Sequence, residues 1–354
     1  MKKSIYRILC FIVILTLCLG YLNSIFKFKY EDGIYNMKKY YELDENTVDV
    51  LILGSSHAFE NINTGTLWEE YGMASFIIGG AIQPLWNTYY YLKEALKTQK
   101  PKLIVLEGYC TALPDEDYLG DSYSIKSTYG LKLSLDKINA IKESVSPEKR
   151  ANYFLSYTQY HSRYKEINAT DFLEDQGSPY YYNWKGTICN PISQSITPAN
   201  DISNVTEKNR MTPKSEKYYR KIIALAQENN IPIVVVITPY SGITNEQQAI
   251  FNTASDIAAE YNVPFLNCNL LTDKIGLDYE NECDAADYEH LNYKGNQKLS
   301  LYLGKYINSN YEIPDRRNDA NYYSWELDSE YIKEIIYNCS LSDEKNFDAI
   351  LSYC

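Results

Sequence analysis

Five short apolar runs, residues 48–53, 75–78, 102–106, 232–238 and 264–268, recur along the chain, separated by longer stretches that include segments with amphipathic helical spacing. An apolar run without polar alternation marks a strand covered on both faces, the situation of parallel strands joined by crossover helices. Segments 85–98, 215–229, 245–261 and 294–307 have the length and periodicity to be those helices. Breakers agree with the boundaries: Pro101 precedes the third run, and Asn229, Asn230 and Pro232 separate a helix from the fourth. The alternation predicts an α/β fold with a parallel five-stranded sheet between two helical layers.

A chain of 354 residues could hold two average domains, but open α/β folds also use this length as one core with decorations. The latter organisation is expected, with a catalytic domain over 48–312. Residues 111–212 break the rhythm, being polar, tyrosine-rich and without strand periodicity. They are expected to be an insertion at the carboxyl end of the third strand, over the edge where α/β proteins bind ligands. Such an insertion could serve as a lid or as a structural cap. The tail, 313–354, carries one amphipathic stretch, 329–337, and is expected to add a peripheral helix.

Lys2, Lys3 and Arg7 precede an almost unbroken apolar run over 8–22, extended by Ile25 and Phe26. As a helix, 8–26 would span about 28 Å, close to the hydrocarbon thickness of a bilayer. No small-residue cleavage site follows, because Leu22 is too large, and Leu17 before Cys18 does not suit a lipoprotein signal. Residues 1–26 are therefore expected to be an uncleaved anchor and 27–47 a juxtamembrane linker. The basic end should stay in the cytoplasm, placing the rest outside a cell membrane that the chain crosses once.

The net charge of -12, with no long basic run, excludes nucleic acid as an expected partner. Eight cysteines include no C-x-x-C pair, so spacing assigns no disulfide. The 36 tyrosines could stack on sugar rings or reflect codon usage. Asp284, Asp287, Glu289 and His290 cluster in sequence, but no second histidine stands at ligand spacing, so no metal and no cofactor is expected.

Gly54-Ser55-Ser56 closes the first apolar run. A serine in a tight strand-to-helix turn has an exposed hydroxyl, and N–H groups at the helix start point to where an oxyanion would form. A serine nucleophile needs a base, and the chain has three histidines: His57, His161 and His290. His57 adjoins Ser56, and consecutive side chains at a helix start diverge. His290 stands before the last helix, with Asp287 three residues upstream, close enough for its carboxylate to hold the imidazole tautomer. Asp284 and Glu289 flank this pair without its spacing and are expected to be dispensable for activity.

Gly54-Ser55-Ser56 near the start and Asp287 to His290 near the end resemble the SGNH/GDSL hydrolase superfamily, over roughly 48–310. The resemblance implies a flavodoxin-like three-layer sandwich of strand order 2-1-3-4-5 and makes Ser56, rather than Ser55, the nucleophile, with Asp287 and His290 completing a triad. It implies an oxyanion hole formed by the N–H groups of Ser56 and Gly79, the latter in Ile77-Ile78-Gly79-Gly80. Where that superfamily has an asparagine after the third strand, this chain has Leu106-Glu107-Gly108-Tyr109. The departure is more similar to the membrane-anchored branch found with D-alanylation of teichoic acids or O-acetylation of exopolysaccharides, which acts beside a membrane-bound O-acyltransferase. Glu107 is expected to face the cleft, orienting substrate or holding His57, or else to be a solvated carboxylate. His161 and Arg163 are candidate contacts to an anionic or sugar substrate, or ordinary surface residues.

The function implied is transfer of an acyl group to or from a surface glycan through acyl-Ser56. Hydrolysis of a glycan or small-molecule ester by the same residues is the alternative, and a non-catalytic glycan-binding module the third.

Overall fold

Val50–Gly54 forms β1, a strand of five wholly buried residues. Its side chains alternate between two cores, Leu51 and Leu53 on one face and Val50 and Ile52 on the other. Each fully buried aliphatic side chain contributes about 1.5–3 kcal/mol, so a strand of this composition is stable only between two covering layers. In the computed structural model, which describes residues 2–26, 32–113, 120–154, 164–165, 167, 169–172 and 184–341, helices supply both layers.

The other strands are β2 (Ser75–Gly79), β3 (Leu103–Glu107), β4 (Ile233–Ile237) and β5 (Phe265–Asn267), all parallel, in the order β2-β1-β3-β4-β5. The helices are α1 (Lys2–Phe26), α2 (Asp32–Tyr41), α3 (Ser56–Phe59), α4 (Thr64–Tyr71), α5 (Leu85–Ala95), α6 (Asp121–Lys126), α7 (Leu135–Ser144), α8 (Pro213–Glu228), α9 (Asn245–Glu260), α10 (Thr272–Ile275), α11 (Tyr293–Asn310) and α12 (Tyr323–Leu341). Residues of α2, α5, α8 and α9 share one core; α4 and α11 build the other. Helix α1 is long and apolar enough to cross a membrane and exposes most of its length.

The stretch 27–47 contains more than a linker. Gly33, Met37, Tyr40 and Tyr41 stand at helical i, i+4, i+7 and i+8 spacing, and Met37 and Tyr40 are buried in the core beside β2. Asp32, Lys38 and Lys39 interleaved with them hide this stripe in the sequence. Helix α2 runs along the flank of β2 to the amino end of the sheet, where the Tyr40 hydroxyl donates to Ala95 O (3.0 Å).

The later part of the segment between β3 and α8 packs back onto the fold. The Ile77 N–H donates to Lys185 O (2.8 Å), and the Trp325 indole of α12 donates to Ser75 O (2.9 Å), so the outer side of β2 is covered. Lys185 (φ 53°) and Gly186 (φ 93°) both adopt left-handed conformations there, and a Cβ at Gly186 would overlap Ile77 O.

Candidate active site

The Gly54–Ser56 turn is built from below by Ser55. This serine is fully buried, and its hydroxyl caps α3 by accepting from His57 N (3.3 Å). Ser56, the next residue, is partly exposed, and its Oγ lies 2.9 Å from His290 Nε2. His290 Nδ1 stands 3.1 Å from each Asp287 oxygen. Asp287 Oδ1 also accepts from the backbone N–H groups of Glu289 (2.7 Å) and His290 (2.8 Å). All three donors to Asp287 come from the same turn of chain, which therefore presents both the acid and the base.

That turn is a folded-back loop. Ala286 N donates to His290 O and Asn292 N to Asp284 O, while Gly242 N donates to Tyr288 O (2.7 Å) from the end of β4. Asn61 docks it against α3: its Oδ1 accepts from Leu291 N (2.8 Å), and its Nδ2 donates to Thr238 Oγ1 (3.0 Å). Asn61 is fully buried, and nothing in its sequence neighbourhood marks it out. Asp284 is fully buried as well, accepting from Asp278 N (2.8 Å) and pairing with Lys298 (2.6 Å) at the base of the loop.

Burial alone would depress His290, but the hydrogen-bonded Asp287 carboxylate, with the charges of Glu60 and Glu289, more than offsets it and raises the imidazole above its ordinary range. Asp287 moves the other way. Burial would raise it, yet its bonds to His290 and to the backbone N–H groups hold it down at about 2. The pair is set for a carboxylate that stays ionised beside an imidazole that takes up a proton readily.

Glu107 lies elsewhere than expected. It is buried (1 % exposed) beneath Ser55, accepting from Ser55 Oγ (3.2 Å) and Tyr109 N (2.7 Å), and it does not hold His57. The carboxylate that faces His57 is Glu289, 3.6 Å from Nε2 and in ion-pair range. His57 stacks on Tyr109 (ring centroids 3.7 Å apart), and burial pushes it down to about 4. Strand β3 ends inside the fold, so a carboxylate placed there is enclosed rather than solvated. Gly79 is in register with Gly54, and a Cβ on it would stand 3.0 Å from Gly54 O and 3.1 Å from Ser55 O. His161 and Arg163 fall outside the described residues.

Enclosure raises Glu107 to about 7, with the bonds from Tyr109 and Ser55 opposing the shift. A carboxyl raised in the folded state favours folding below its unfolded pKa near 4.5, and that contribution is lost as pH rises through about 7. Glu107→Gln is expected to match wild type in unfolding free energy at pH 5 and to exceed it at pH 8.5 by an amount on the order of 1–3 kcal/mol, read from denaturant unfolding. A wild-type advantage that grows with pH would show an ionised Glu107 to be stabilising.

Fold and site together define a doubly wound α/β protein with a serine, a histidine and an aspartate in hydrogen-bonded series at the carboxyl end of the sheet. No family model matches the chain, and no curated protein matches it. A crystal structure of a candidate acylhydrolase from Bacteroides fragilis aligns at 10% identity and a TM-score of 0.38, covering 77% of this chain and 94% of that one.

Proposed function

We propose that the chain is a membrane-anchored, outward-facing serine enzyme of the SGNH type that transfers acyl groups to or from a cell-surface glycan. The 2.9 Å contact between Ser56 Oγ and His290 Nε2 carries this reading, because it joins a hydroxyl in a strand-to-helix turn to a base already oriented by a carboxylate. Ser56 Oγ attacks the acyl carbonyl as its proton passes to His290 Nε2. That proton then goes to the departing alkoxide, leaving acyl-Ser56. An acceptor hydroxyl gives its proton to His290 and attacks the acyl carbonyl; the bond to Ser56 Oγ breaks, and His290 returns the proton to Ser56. The N–H groups of Ser56 and Gly79 would receive the oxyanion.

A cavity of about 610 Å³ beside the site has room for a sugar chain; its lining includes Asn200, Asp201, Tyr240, Ser241 and Asn269. Tyr240 also packs edge-on against His57, at 4.9 Å between centroids, so the cavity lies one side chain from the cleft. Amide, hydroxyl and carboxylate groups of this kind suit a polyhydroxylated ligand. Hydrolysis is the second reading, favoured by an Asp287 side chain that is 51% exposed and leaves the triad open to water. A membrane-bound O-acyltransferase is the partner that the transfer reading calls for.

A serine-reactive fluorophosphonate is expected to label wild type but not Ser56→Ala. Ser55→Ala, which removes the cap of α3, should still be labelled, more slowly. Equal labelling of the two variants would remove Ser56 from its assigned role.

A further inference from the structure

The anchor helix and the candidate nucleophile meet the sheet at the same end. Ile25 and Phe26, the last two residues of α1, are buried against Ile125, Ile141, Val145 and Tyr153, which belong to the segment that follows β3. Seven residues beyond Phe26, Gly33 lies in the first turn of α2 between the Lys126 carbonyl, which a Cβ on Gly33 would overlap, and Gly80, whose Cα that Cβ would meet at 3.4 Å. Gly80 directly follows the carboxyl end of β2, and Gly79 is in register with Gly54, two residues before Ser56. Gly54 is one strand spacing, about 4.8 Å, from Gly79, whose neighbour Gly80 meets the start of α2, so the nucleophile turn and the chain arriving from α1 share the carboxyl end of the sheet.

The other end of the sheet is turned away. Helix α2 travels from Gly80 toward the amino ends of the strands, where Tyr40 meets Ala95 and Asn46 N donates to Thr98 O (3.0 Å). Seven residues reach at most about 25 Å when fully extended. Phe154, next to the Tyr153 that packs on Ile25 and Phe26, and Phe172, in a turn that touches α1, are exposed large apolar side chains. Exposed apolar side chains in that position can bury at the boundary between headgroups and acyl chains of a bilayer.

We propose that the Ser56 cleft is held facing the bilayer and that its substrate is an acyl ester carried on a lipid of the same membrane. This rests on the reading of α1 as a span and of Ser56 as the nucleophile. A cleft turned toward the headgroups meets groups projecting from the membrane directly, whereas a polymer in solution must enter between protein and lipid.

Orientation is tested without catalysis. Full-length protein in phospholipid vesicles would carry a fluorophore, through an encoded azide residue, at exposed Tyr288 beside the cleft or at exposed Lys100 at the opposite end of the sheet. Energy transfer to acceptors on lipid headgroups is expected to be at least about twofold stronger from 288 than from 100; equal or reversed transfer overturns the orientation. Substrate class is tested by inserting a 20-residue proline-rich spacer, about 60 Å long, between Phe26 and Asp32. The spacer variant should lose about tenfold or more against an acyl ester on a lipid of the same vesicle, while turning over a water-soluble ester within twofold of wild type. Unchanged turnover of both esters overturns the lipid substrate. If wild type fails on the water-soluble ester and resists fluorophosphonate, the serine-enzyme reading falls, while energy transfer still decides the orientation.

Discussion

His290→Ala is expected to lower turnover of an activated ester by about 10⁶-fold and Asp287→Asn by about 10⁴-fold, the ranking that separates a base from its orienter in serine hydrolases. Without His290, Ser56 Oγ has no acceptor at 2.9 Å for its proton. Without the Asp287 carboxylate, the imidazole remains but loses the two 3.1 Å contacts that fix its tautomer. The pH profile gives an independent readout. Only neutral His290 can accept the proton, so the rate must fall as pH drops through its raised pKa, which places the acid limb above the ordinary 6.5. In Asp287→Asn the main opposing influence to burial is gone, and the limb should move to lower pH. Asp287 itself, at about 2, adds no limb in the accessible range. A correctly folded His290→Ala that kept wild-type turnover would end the serine-enzyme reading.

Asp284→Ala is expected to cost about 1–3 kcal/mol of stability, because it leaves the Asp278 N–H without its acceptor and removes one of the two carboxylates on Lys298, which keeps Glu282. The loop from 284 to 292 closes through Asn292 N on Asp284 O, so loosening its base also displaces Asp287 and His290. Asp284→Asn keeps an acceptor for Asp278 N and should recover roughly half of the loss. Denaturant midpoints for the three proteins check this. An Asp284→Ala protein as stable as wild type but inactive would make Asp284 the orienting acid in place of Asp287.

The sheet was legible because its strands are buried on both faces: 50–54 and 233–237 offer the chain no other way to hide five consecutive apolar residues each. That Ser56, His290 and Asp287 come together was legible: Ser56 from the strand-to-helix turn and the resemblance, His290 from the scarcity of histidines, and Asp287 from its spacing. Contacts made across the fold were not. Glu107 closes an apolar run and Glu289 stands in a polar segment, but neither setting says that one is enclosed beneath Ser55 and the other faces His57, a difference set by where β3 ends and where the 284–292 loop lands. Asn61 is an ordinary residue after a short helix until the loop arrives to meet its amide. Helix α2 was hidden because its buried stripe includes a glycine and tyrosines, residues that hydrophobic periodicity underweights.

Where α1 spans a bilayer, the covered outer side of β2 bears on how many copies can share it. An open strand edge templates pairing with the next chain, and chains confined to a bilayer meet at far higher effective concentration than chains free in solution. With Ile77 N bonded to Lys185 and Ser75 O to Trp325, this edge offers no template at those positions, so crowding on the surface does not lead to edge-to-edge polymerisation there.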